Sequence, residues 1–134
     1  MSEVALRARL LAVAGVSALV GTRVYPVILP QNPTFPAITY QRIGGRRESS
    51  FAGPIGLAGP LYRLDCWGGA AGTGYAAAKG LANAVRLALD GWKGVVSGIT
   101  VQACFLDGEP EDIFEDEVGV HRVAMEVRMW WNEA

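Results

Sequence analysis

From Val118 to Trp131 the chain keeps a period of two. Val123, Met125, Val127, Met129 and Trp131 fall on one side, and Arg122, Glu126, Arg128 and Trp130 on the other. Such alternation specifies a strand with one buried and one wet face. A strand of this length needs partners along its edges and a layer over its apolar side. Other segments read as those partners. Ala37–Ile43 alternates, with Ile38 and Tyr40 against Thr39 and Gln41; Leu61–Trp67 sets Tyr62, Leu64 and Cys66 against Arg63 and Asp65. Ile99–Leu106 places Ile99, Val101, Ala103 and Phe105 opposite Thr100, Gln102 and Cys104. Arg23–Val27 reads as a short extended piece, and the prolines 26, 30, 33 and 36 keep Val27–Pro36 irregular.

Two helices supply the cover. Ser2 is the expected N-cap of the first, whose face carries Val4, Leu6, Leu10, Val13 and Ala14; Gly15 ends or loosens it, Ser17–Val20 adds a turn, and Gly21 stops it. The second follows the glycine-rich Gly68–Gly74 with Thr73 as N-cap, shows the stripe Ala78, Leu81, Ala82, Val85 and Leu89, and stops at Gly91. The expected fold is α+β: a largely antiparallel four-stranded sheet with two helices packed on one face and a long β-hairpin tip. It forms one domain over residues 1–134. With 51% apolar and 19% charged residues, disorder and coiled coil are excluded. Arg7 and Arg9 before the apolar run Leu10–Val20 imitate a secretory signal, but Glu3 and the amphipathic spacing favour a helix of the fold. No apolar run reaches the ~18–20 residues of a membrane span, so a cytoplasmic protein is expected.

The charges are segregated. Asp107–Glu117 holds seven of the thirteen acids and no base, and ten of the twelve bases are arginine. Taken alone, that segment reads first as a solvated acidic loop, and secondly as one half of a head-to-tail self-contact with a basic surface. In the second reading Glu111 and Glu115 meet Arg42, Arg46 and Arg47 of a neighbouring copy, and Ile113 and Phe114, large apolar residues inside an acidic run, provide the anchor. Gly44–Pro60, with five glycines and two prolines, reads as a long irregular tip that stays poorly ordered until a partner covers Phe51, Ile55 and Leu57.

Catalytic and cofactor chemistry find little support. His121 is the single histidine, so a two-histidine metal site or histidine relay cannot be built, and Ser49 and Ser50 lack a nucleophile-elbow pattern. Gly68–Gly74 lacks the Gly-Lys-Ser/Thr ending of a phosphate loop and reads as a tight strand-to-helix turn. The acidic run does not follow calcium-loop spacing, since Gly108 comes early and Pro110, Ile113 and Phe114 interrupt the ligands. Cys66 and Cys104 read as buried free thiols. No enzyme, cofactor or metal is expected.

The ordered set of segments resembles the small phage tail-completion family related to the lambda-type tail terminators, also found in prophages and gene transfer agents. The carrying segments begin with Leu19-Val20-Gly21, Arg23-Val24-Tyr25-Pro26 and Pro36-Ala37-Ile38-Thr39-Tyr40-Gln41-Arg42-Ile43. They continue with Arg63-Leu64-Asp65-Cys66-Trp67, Leu89-Asp90-Gly91, Phe105-Leu106-Asp107 and the closing Trp130-Trp131. The glycine-rich entry to the second helix departs from the family's usual pattern. The resemblance implies a structural virion protein, a homo-oligomeric and generally hexameric ring that caps the head-proximal end of the tail tube. Its implied partners are copies of itself, the tail tube protein and the head connector or adaptor, with DNA passing through the lumen without sequence recognition and no membrane. It would assemble in the host cytoplasm and end in the particle tail. Two other readings stand beside it: a head-completion or connector ring, and a nucleic-acid-binding α+β module.

Overall fold

The computed structural model describes residues 2–70 and 72–133, apart from the side chains of Pro54 and Ile55. The elements run α1 (Ser2–Ala12), α2 (Ala14–Val20), β1 (Val24–Pro26), β2 (Ala37–Ser50), β3 (Gly53–Ala70) and α3 (Gly74–Leu89). Then follow β4 (Gly94–Val96), β5 (Ile99–Leu106), β6 (Glu111–Glu115) and β7 (Val120–Asn132). One seven-stranded sheet takes the order β1-β2-β3-β7-β5-β4, and β6 pairs with β7. β1 joins β2 in parallel and the remaining pairs are antiparallel, so the sheet is mixed.

This corrects the expected four strands and two helices. The first helix divides because Val13 is extended, at φ −85° and ψ 118°. Gly15 lies inside α2 and is not the breaker. Ser2 begins α1 instead of capping it, and its hydroxyl is buried against the Tyr62 hydroxyl. Val4 turns outward, and Ala5, Leu6 and Leu10 form the buried face. Thr73 precedes α3 without a side-chain cap bond.

The expected irregular tip is also overturned. β2 and β3 remain paired out to Ser50↔Gly53, with a one-residue bulge at Ile43 on β2 and a second irregularity in which residues 55–57 of β3 stand against Glu48 alone. Gly45 makes this possible: it sits at φ +140° and a Cβ there would collide with the Pro60 backbone. Far from lacking a core, Ala58 is 4% exposed and lies between Arg47 on β2 and Trp131 on β7. The acidic segment likewise contains a strand, β6, pairing Glu111↔Ala124 through Glu115↔Val120.

The core lies between the helices and one sheet face. Ile38, Tyr62, Leu64, Cys66, Val123, Met125, Val127 and Met129 meet Leu6, Leu10, Val16, Val20, Leu81, Val85 and Leu89. On β5 the expected alternation reverses midway. A bulge between Val101 and Ala103 turns Cys104 inward opposite Met129 and leaves Phe105 40% exposed. α3 approaches the sheet closely because Gly68 has no side chain: a Cβ there would strike the Gly74 carbonyl and the Ala78 backbone. The glycine-rich turn is therefore filled by backbone of the chain itself.

Candidate functional site

The two sheet faces carry different surfaces. On the face that the helices cover, the core gives out toward the end of β7, and there the β2–β3 arm and the end of β7 enclose a groove of about 500 Å³. Arg42, Arg46 and Arg47 line it beside Gly44, Gly45, Ala58, Pro60, Trp131 and Glu133. Arg42 shares the Tyr62 row, and Arg47, Ala58 and Trp131 form a row across three strands. Arg47 pairs with the Glu133 carboxylate, so one guanidinium of the groove already holds an acid. Arg42 and Arg46 make no ion pair among the described residues, although the field of Arg42 reaches Glu3.

The opposite face is uncovered by helices and polar. Arg122 centres a network there, bonded to Asp65 at 2.5 Å and to Glu115 at 2.6 Å, with its guanidinium 5.3 Å from the centre of the Trp67 ring. Partial burial favours the neutral form of Arg122, but the two carboxylates outweigh it and the guanidinium is held more firmly charged. Trp67 in turn donates to the Thr39 hydroxyl at 3.0 Å. Beyond this network lies a hollow of about 380 Å³ lined by Asp107, Glu109, Glu111 and Glu126 with Arg63, Ala124 and Met125.

The expected site residues thus separate into groups. Arg42, Arg46 and Arg47 are brought together. Phe51 stands fully exposed at the hairpin turn, Leu57 is half-buried opposite Asn132, and the side chain of Ile55 lies outside the described residues. The β6 alternation sends Glu111, Ile113 and Glu115 to the polar face, and Asp112 and Phe114 to the other. There Phe114 packs on His121 at 4.6 Å, His121 meets Tyr75 edge-on at 5.7 Å, and Asp112 accepts bonds from Lys79 and Tyr75, both at 3.1 Å. Lys79 and Tyr75 accordingly hold the Asp112 carboxyl below its usual range. Glu115 is engaged by Arg122, so Glu111 is the residue of the expected set whose carboxylate faces the hollow without an ion pair among the described residues.

Glu109, Glu126, Trp131 and Glu133 belong to these surfaces but were not singled out from sequence. The signal existed for Glu126, on the wet side of the long alternating run, whereas Glu133 joins the groove only through the end pairing of β7. Among the described residues no group of three histidine, cysteine or acidic side chains could hold a metal ion, and no helix is long and apolar enough to cross a membrane.

The sequence profile of the family described as "Tail completion protein gp17" matches residues 4–132. The chain belongs to that family. It is a structural virion protein of the tail-completion kind. A solved chain titled "Virion of native gene transfer agent (GTA) particle" superposes with a TM-score of 0.77 at 24% identity, covering 95% of this chain and 91% of that one. At that identity the likeness shows a shared fold. No curated protein matches the sequence significantly.

Proposed function

We propose that this tail-completion protein is the subunit of a homo-oligomeric ring, six copies around, that caps the head-proximal end of a phage-type tail tube. The ring ends tube polymerisation and joins the tail to the head connector, while DNA passes through its lumen without sequence recognition. Assembly takes place in the host cytoplasm and the ring remains in the particle. The family match over residues 4–132 carries this reading. The virion origin of the solved chain with the same fold supports it. So does the division of the surface into a basic groove and an acidic hollow, which suits repeated contacts between identical subunits.

Native mass measurement of the purified protein, followed by capture of tube protein and connector separately, tests it. A species of six subunits that retains tube protein is expected. A protein that remains monomeric at every concentration overturns the ring. A ring that holds the connector but never the tube moves the protein to the head-completion side.

A further inference from the structure

We infer that the acidic hollow on the uncovered sheet face receives the arginine-bearing β2–β3 arm of a second copy of this chain. The inference rests on the ring reading and names the contact that builds it. Three observations carry it. The hollow holds Asp107, Glu109, Glu111 and Glu126 against the single base Arg63, and Arg63 is drawn aside to Asp65 at 3.5 Å. Asp107 has only a distant partner, Arg128 at 3.9 Å, and Glu109, Glu111 and Glu126 make no ion pair among the described residues. Such a site attracts a cation, but none of its described acids form a metal-binding group. Guanidinium, which reaches several carboxylates through a planar fork of donors, fits an open carboxylate hollow better than a compact ion.

The arm supplies that group: Arg42, Arg46 and Arg47 stand on β2 with Glu48, and Glu133, just past the end of β7, is the one acid that joins the groove they line. Glu133 on Arg47 shows within the chain that the groove accepts a carboxylate. The arm presents side chains in preference to a bare strand edge. Past Tyr40, the last residue paired with β1, the outer edge of β2 is open, but the bulge at Ile43, the irregular pairing opposite Glu48 and its run of charges guard it against strand addition.

Groove and hollow cannot neutralise one another within one subunit. Arg63 and Glu126 alternate with the buried Tyr62, Leu64, Met125 and Val127 and so face away from the helices, whereas Trp131 packs at the margin of the helix-side core. The hollow and the Arg42 and Arg47 side of the groove therefore lie on opposite faces of one sheet, while Arg46, opposite Gly59 in the Trp130 row, stands at the groove's rim on the other side of β2. A contact between unlike patches on opposite faces is heterologous, and it repeats from copy to copy until a ring closes.

The test uses neutral variants of exposed groups in the full chain. One protein carries Arg42→Gln and Arg46→Gln; the other carries Glu109→Gln, Glu111→Gln and Glu126→Gln. Unchanged melting temperatures establish that both fold. By light scattering, each alone should associate at least roughly tenfold more weakly than the parent, and parent association should weaken with added salt. The equimolar mixture should give a heterodimer and nothing larger, because it has one intact groove and one intact hollow to share. If the parent assembles and both variants assemble equally well, this contact is wrong while the ring reading stands. A parent that never associates overturns both. Arginine-dependent binding of a duplex oligonucleotide by a non-associating parent would instead assign the groove to phosphate and overturn the contact.

Discussion

The two ends of the β2–β3 hairpin share one continuous ladder yet face different physical demands. At the root, Ile38, Leu64 and Cys66 are fully buried under the helices, and β1 and β7 flank the pair. Along the arm, residues from Gln41 to Ser50 are exposed or half-exposed on β2, and Phe51 at the turn touches no core. β7 accompanies β3 only as far as Leu57↔Asn132. The root is held by burial, the arm by backbone pairing and by a shallow footing at Ala58 under Trp131. Strand geometry therefore extends beyond the region that the hydrophobic core stabilises. The side chains of that extension are free to be chosen for contact with something else.

The largest expected effect sharpens this contrast. Leu64→Ala removes a fully buried side chain at the root and should cost about 2–5 kcal/mol in urea unfolding, through lost burial and the cavity left behind. Phe51→Ala at the turn should change stability by no more than about 0.5 kcal/mol, the usual range for surface positions. If Phe51→Ala matched Leu64→Ala, the arm would be part of the core and the contrast would collapse.

A smaller effect separates the two regions by pH. Burial, reinforced by the field of Asp90 and opposed by that of Arg9, pushes the Cys104 thiol from its ordinary 9.0 up to about 12. Burial likewise raises Cys66. The unfolded chain releases each proton near the ordinary value while the folded chain retains it. Stability is therefore full below 9.0 and falls as pH rises toward about 12, at about 1.4 kcal/mol per pH unit for each thiol. Cys104→Ala should flatten that alkaline slope by one thiol's share. A thiol placed on the exposed arm as Ser50→Cys should leave it unchanged, having nearly the same acidity in both states. An unaltered slope in Cys104→Ala would show that the thiol is not sequestered.

The same contrast explains what was legible in the sequence. Where one face is buried, alternation records it, so the root of the hairpin, most of β7 and the α3 stripe could be read directly. The arm could not, because glycines and prolines in a sequence signal breaks in structure. In fact Gly45 and Pro60 lie opposite one another in the ladder, and the glycine is there to let the chains approach. β6 was hidden because its partner, β7, is what makes Glu111–Glu115 a strand. The bulge on β5 was hidden because inserting one residue leaves no compositional mark, yet it exchanges Ala103 and Phe105 for Cys104 and Leu106 on the core side. Of the candidate contact surfaces, the arginine cluster and the acidic segment were visible as charge. Their placement on opposite faces depends on strand pairing that spacing alone does not reveal.

The smallest effect on stability carries the sharpest information about the arm. Arg47 and Glu133 form an exposed pair, with side chains 70% and 30% accessible, and such pairs contribute roughly 0–1 kcal/mol. Glu133→Gln should therefore leave urea unfolding nearly unchanged, within about 0.5 kcal/mol. Its effect on association should be larger and favourable. The substitution removes the one acid from a groove that otherwise presents Arg42, Arg46 and Arg47, and it releases the Arg47 guanidinium for a carboxylate of another copy. Association should tighten a few-fold and become more sensitive to salt, since one more exposed charge enters the contact. Arg47→Gln provides the opposite arm: it has the same negligible cost to folding but weakens association. If Glu133→Gln weakened association as well, the pair would be serving to hold Arg47 in its working position. The arm would then be a preorganised element whose internal ion pair must survive docking, and its contrast with the root would lie in what fixes the side chains and not in whether they are fixed.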